Sequence, residues 1–209
     1  MRRLLQRMKH RVGQIPLVRR VLWPAPRQSW CRTASYRSID AALAPLVGTA
    51  DVVEISGDSF EDRGWRSYRR LIYPDFDLCA PTAHDEYDVV ICDNVLEHVA
   101  DPVTAVRTLH ALCRPGGLVV VVTPFLYLVH ESPGDYWRFT PDGLARLIEH
   151  AGFEDVTVES WGNRSAAVGH LLKPIIVDSR LLPRRNQANY PVMVWGFGRR
   201  PADVAAPTA

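Results

Sequence analysis

Three short stretches hold residues whose types suit proton transfer or ligand capture. The first is Asp93-Asn94 with Glu97-His98, directly after the apolar run Val89–Cys92. The second is His130 with Tyr136-Trp137-Arg138. A carboxylate such as Asp93, or an imidazole such as His130, can take the proton of an attacking hydroxyl or amine, and an imidazole titrates close to neutrality. His98 can do the same, but at the start of a turn it reads more readily as a structural or pocket-wall residue. Tyr136 and Trp137 offer a stacking surface for a sugar or a ring, and Arg138 can bind a carboxylate or phosphate. An equal reading makes Tyr136, Trp137 and Phe139 a lid over the core, with Arg138 paired to an acid. The third stretch is Glu54-Ile-Ser-Gly57-Asp58, an acid followed by a glycine turn, which by itself fits an ordinary β-turn as well as a ligand loop. Asp75 and Asp77 follow Tyr73-Pro74 and fit either a solvated turn or a pair of acceptors for vicinal hydroxyls. The four cysteines, Cys31, Cys79, Cys92 and Cys113, have no metal-ligand spacing, so no zinc site, and no metal, is expected.

The elements that would position these residues follow from the apolar pattern. Val89–Cys92 is a short β-branched run, as expected of a strand buried on both faces. Pro102 suits the first turn of a helix, and Val103, Val106, Leu109 and Leu112 continue at helical spacing. Gly116-Gly117 break that helix, and Leu118–Val122 form a second buried strand. Strand, helix and strand of this length make a right-handed crossover in a parallel sheet. Asp93 and Asn94 then lie at the carboxyl end of a strand, where open α/β sheets place ligands. Upstream, a helix is expected over Arg37–Val47 with Ser38 as N-cap, then a strand over Asp51–Ser56. A second strand is expected over Arg70–Tyr73, with a loop or edge strand over Leu78–His84. Downstream, Thr140 and Pro141 start a helix that Gly152 ends. Val156–Val158 is a strand, Ala166–Leu182 a helix interrupted by Pro174, and Tyr190–Phe197 a final antiparallel strand.

The segment "DVVICDNVLEHVADP" followed by "LCRPGGLVVVVTPF" resembles the second half of a class I S-adenosylmethionine-dependent methyltransferase of the type 11 kind. The likeness extends more loosely from about Asp51 to Trp161. It implies a doubly wound, mostly parallel seven-stranded sheet with a terminal antiparallel strand, and S-adenosyl-L-methionine as cofactor. It implies that Glu54, Ser56, Gly57 and Asp58 meet the amino-acid end of the cofactor. Asp75 or Asp77 would take the ribose hydroxyls. Asp93, Asn94, Leu96 and His98 would line the rest of the cofactor site. Only Gly57 stands where two or three glycines are usual, and no acid ends the second strand at Tyr73. The run "DYWRFTPDGL" is similar to a branch of these enzymes associated with surface polysaccharide or lipid-linked sugar synthesis.

Charge divides the 209-residue chain. Ten Lys or Arg and no acid precede Asp40, whereas the rest is acidic. Residues 1–36 are therefore read as a basic amphipathic extension, 37–200 as the methyltransferase-like domain, and 201–209 as a disordered small-residue tail. The extension, with Trp23 beside Arg19 and Arg20, fits either peripheral contact with an anionic membrane or a helix capping the domain. No disulfide framework and no membrane-spanning run are read from the sequence, so a cytoplasmic protein is expected. The acidic body argues against a nucleic-acid partner. The function expected is methyl transfer to a small-molecule, sugar or lipid-linked acceptor. The alternative is a methyltransferase fold of weakened or lost activity serving as a partner- or membrane-docked scaffold. The sequence gives no oligomeric state.

Overall fold

A computed structural model describes residues 30–81, 85–130, 134–171 and 185–203. The expected basic extension up to residue 29, His84, much of the helix expected over Ala166–Leu182, and the tail beyond residue 203 lie outside the described residues.

Six strands form one sheet in the order β2-β1-β3-β4-β6-β5. They are β1 (Asp51–Ile55), β2 (Ser67–Leu71), β3 (Tyr87–Asp93), β4 (Cys113–Pro124), β5 (Glu154–Trp161) and β6 (Met193–Arg199). Strands β2, β1, β3 and β4 run parallel, and β6 pairs antiparallel with both β4 and β5. The doubly wound class with its terminal antiparallel strand is as expected. The strand count is corrected from seven to six among the described residues, because the stretch after β2 forms turns at Pro74–Ala80 and adds no edge strand. Strand β2 also begins three residues earlier than expected: Ser67 to Arg70 pair with β1, while Ile72 and Tyr73 lie beyond the pairing.

Four helices pack on the two faces: α1 (Trp30–Leu43), α2 (Pro102–Leu112), α3 (Pro141–His150) and α4 (Arg164–Leu171). Alternation along the central strands splits the core in two. Val52, Val89, Ile91, Val120 and Val122 face α1 and α4, packing with Ile39, Leu43 and Ala166. Val53, Val90, Cys92, Val119 and Val121 face α2 and α3, packing with Leu109, Leu112, Leu144 and Ile148. Burial of each such side chain contributes roughly 1.5–3 kcal/mol, which makes β1, β3 and β4 the rigid frame of the molecule.

Local signals fix two helix starts. Asp101 accepts from the Val103 and Thr104 amides at 3.1 Å, with Pro102 in the first turn. Thr140 accepts from Gly143 N at 3.0 Å, with Pro141 beside it. The first helix departs from expectation. It is already helical at Trp30, the first described residue, so it crosses the expected boundary at residue 36, and Ser38 lies inside it. Ser38 is not its cap; its hydroxyl donates to Glu159 Oε2 at 2.8 Å. The two outer strands are charged. Strand β2 carries Arg69 and Arg70, and β5 carries Glu154, Asp155 and Glu159, with a register shift near Asp155, whose φ is +51°.

Candidate active site

The carboxyl ends of β1 and β3 are neighbours, since Ile55 pairs with Cys92. The turn Ser56-Gly57-Asp58 leaves β1, and Asn94 leaves β3, at the same edge. Ser56 and Asp58 are exposed and Gly57 is half-buried. Ser56 and Asn94 both adopt the left-handed conformation, with φ of +56° and +55°. Such conformations cost energy in non-glycine residues and cluster at functional sites.

Glu54 does not reach this surface. It is wholly buried, and its carboxylate accepts from Ser59 N and Phe60 N at 3.0 Å and from Tyr68 Oη at 2.5 Å. Burial raises its pKa, against those hydrogen bonds. Here it holds the loop from below. The single glycine has a steric reason: a Cβ on Gly57 would stand 2.3 Å from Glu54 Oε1. Phe60 lies in the core against Tyr36, with ring centres 4.9 Å apart, and so does not present itself in the turn's exposed part.

Asp93 is also engaged from within. Its carboxylate accepts from Tyr36 Oη at 2.5 Å and Asn94 Nδ2 at 2.6 Å, and Arg32 lies 3.5 Å away. Burial raises the pKa of both Asp93 and Tyr36. With its side chain 3% exposed, Asp93 ties α1 to the end of β3. Leu96 is fully buried on the α2 side and anchors the turn from below. Asp75 is exposed beyond β2, while Asp77 accepts from Cys79 N at 2.8 Å and shapes the following turn.

The chain after β4 returns to the turn after β3. Tyr136 N donates to Glu97 O at 2.7 Å, and Trp137 Nε1 donates to Val99 O at 2.9 Å. This docks His130 against His98, with ring centres 4.8 Å apart. Between them lies Glu97, with 0% exposure and, among the described residues, no side chain or amide of another residue donating to its carboxylate oxygens. Burial pushes its pKa up to about 8. Its Oε1 is 3.7 Å from His98 Nε2 and 4.0 Å from His130 Nε2. Tyr136 and Trp137 are exposed, and Trp137 stacks on Phe139. Arg138 is paired with an acid, the second of the two arrangements expected for it. Its guanidinium grips Asp135 through both terminal nitrogens, one at 2.6 Å, and donates to Trp137 O at 2.7 Å and Leu128 O at 3.2 Å.

Sequence reading thus placed His98, His130, Asn94 and the Ser56–Asp58 turn at one edge, and the structure does bring them there. It missed Tyr36, Arg32, Tyr68, Asp135 and the isolation of Glu97. The spacing of Asp135 and Arg138, one helical turn apart in sequence, was the available signal for their pairing.

Among known proteins, the profile of a methyltransferase domain family matches residues 20–158. A ubiquinone biosynthesis O-methyltransferase of Pseudomonas paraeruginosa is 41% identical over 105 residues, which cover 50% of this chain and 39% of that protein. The corresponding protein of Aeromonas salmonicida is 39% identical over 85 residues, covering 32% of this chain and 36% of that protein. The chain thus spans less than half the length of these curated relatives. The crystal structure of Burkholderia thailandensis 1,6-didemethyltoxoflavin-N1-methyltransferase superposes with a TM-score of 0.53 at 16% identity, over 93% of this chain and 90% of that one. At that identity the superposition speaks to fold alone. The family match covers most of the chain, and the protein belongs to the methyltransferase domain family.

Proposed function

We propose that this protein transfers the methyl group of S-adenosylmethionine to a hydroxyl of a small-molecule acceptor. The observation that carries the reading is the pairing of two strand ends. The Ser56-Gly57-Asp58 turn and Asn94 stand side by side at the sheet's carboxyl edge, on the frame that family membership makes a methyltransferase frame. The choice of a hydroxyl follows the relatives, which carry O-methyltransferase names. Sugar or lipid-linked hydroxyls remain within the class, and the exposed Tyr136 and Trp137 suit a ring.

The residues present fit the cofactor. The exposed turn after β1 lets backbone approach its amino-acid end, as Gly57 has no side chain. Asp75, exposed beyond β2, has free acceptor oxygens suited to ribose hydroxyls. Asn94, with its left-handed backbone, closes the site from β3. Bound there, S-adenosylmethionine supplies an electrophilic sulfonium methyl. The protein's part is positioning and water exclusion. The acceptor hydroxyl is set against His98 and His130, and His130 is read as the group that takes its proton, while Asp93 holds α1. The scaffold alternative gains no support from Phe60, which packs inside the core.

Calorimetric titration with S-adenosylhomocysteine tests the reading. Saturable binding that is lost in Gly57→Val is expected. Absence of heat at millimolar ligand would leave the fold without the activity.

A further inference from the structure

The group Glu97, His98 and His130 is built like a metal site, and we propose that it binds one first-row divalent cation, Zn²⁺ being the reference ion. One ligand atom from each residue lies within 4.8 Å of the others. Two imidazoles and one carboxylate are a donor set suited to Zn²⁺ and its neighbours, and three protein ligands leave positions for an exchangeable oxygen.

The tautomers point the same way. His98 Nδ1 lies 2.5 Å from Gly134 O, an atom that can only accept, so Nδ1 carries the proton. His130 Nδ1 lies 3.2 Å from Leu128 O and 3.3 Å from Asp135 Oδ2, again acceptors only. Asp135 is itself held in place by Arg138, which donates to it through both terminal nitrogens. With Nδ1 engaged outwards, both rings turn Nε2, the nitrogen left for a metal, towards Glu97. Outer carbonyls and carboxylates orient metal-binding histidines in the same manner. The Arg138–Asp135 pair thereby acquires a purpose beyond bracing the loop: Asp135 is a positioning residue for His130.

Glu97 supplies the independent sign. A fully buried carboxylate that finds no hydrogen-bond donor on another described residue is costly to leave that way. A cation at the centre of the three residues would satisfy it. With metal–ligand bonds near 2.0–2.2 Å, tetrahedral ligand atoms sit roughly 3.3 Å apart. The observed separations are 3.7 and 4.0 Å from Oε1, with all three atoms within 4.8 Å, so the group would close by roughly 0.4–1.5 Å on binding. In the proposed reaction such a cation would make a bound acceptor hydroxyl more acidic, and the proton would then pass to solvent, because the lone pairs of Glu97, His98 and His130 would be taken up by the ion. That consequence rests on the methyl-transfer reading; the binding of the ion does not.

The test uses the full chain after chelator treatment, with neither cofactor nor acceptor present. Titration with Zn²⁺ is expected to give one site, and Glu97→Gln and His130→Gln to weaken it by more than about tenfold. Asp135→Asn is expected to weaken it by about 10–100-fold while leaving all three ligands in place. Circular dichroism and thermal melting of each variant separate loss of a ligand from loss of the fold. Cobalt substitution gives a second readout: visible d–d bands without thiolate charge-transfer absorption, since the site holds no cysteine. Failure to bind Zn²⁺ stoichiometrically would overturn the proposal, as would binding that Glu97→Gln and His130→Gln leave unchanged in folded protein. Because S-adenosylhomocysteine binding is measured separately, a missing cation and a missing methyltransferase remain distinguishable results.

Discussion

Gly57 and Glu54 exclude one another's space: a Cβ on the glycine would sit 2.3 Å from the acid's Oε1. The two residues are a unit, in which the buried carboxylate draws in the amides of Ser59 and Phe60 and the glycine gives it room. Gly57→Ala is expected to push Glu54 out of this arrangement and leave two amides without their partner. Each such loss costs about 1–3 kcal/mol. S-adenosylhomocysteine binding should weaken by about tenfold or more, since 1.4 kcal/mol is a factor of ten. Isothermal titration and urea unfolding on the same protein check both halves.

Tyr36 and Asp93 join α1 to the sheet through a 2.5 Å hydrogen bond that sequence reading did not anticipate. Tyr36→Phe keeps the ring packing on Phe60 and removes only the donor. A hydrogen bond to a charged partner contributes about 1.5–3 kcal/mol, so unfolding free energy should fall by about that amount. Were Asp93 instead the proton acceptor in catalysis, the variant would lower turnover and leave the urea midpoint where it was.

Arg138 serves Asp135 and two carbonyls, and its fork geometry is what allows it to do so. Arg138→Lys keeps the charge and loses the fork. The loop over residues 127–139 should then open more often, and limited proteolysis there should run several-fold faster, since cleavage tracks the population of the open form. A substrate-anion role would show itself differently, as a raised KM with unchanged proteolysis.

Asp51 sets part of the acid stability. Hydrogen bonds from Arg66, Ser67 and Arg114 hold its carboxyl well below the usual carboxylate range. A carboxyl whose folded pKa is depressed stabilises the fold above its unfolded value of about 3.9, and that contribution is lost as pH falls through the folded value. Asp51→Asn should therefore flatten the dependence of stability on pH below about 4. The group is partly exposed, so added salt should shrink the difference between the two proteins. Urea denaturation across pH at two ionic strengths gives both comparisons.

Legibility in the sequence followed the range of the interactions. Helices α2 and α3 were readable because Asp101-Pro102 and Thr140-Pro141 carry their own start signals within a few residues. Strands β3 and β4 were readable because burial on both faces leaves an unbroken β-branched run. The start of α1 was not, since its buried residues Cys31, Tyr36, Ile39 and Leu43 are defined by the sheet they cover. Nor was the full site. His98 and His130 stand 32 positions apart, and what joins them is a backbone bond from Tyr136 to Glu97, which no local pattern announces. The degenerate glycine turn, read from sequence as damage, is accounted for once Glu54 is seen beneath it.

The opposite charges on β2 and β5 bear on how copies of this protein meet in concentrated solution. Arginines along one rim repel the same rim of a neighbour, and glutamates along the other do likewise, which is how natural sheets discourage annexation of foreign strands. The two unlike rims would attract, but the kink at Asp155 spoils the straight ladder on which such a union depends. Among the described residues, both outer strands of the sheet thus carry features that disfavour pairing with another copy.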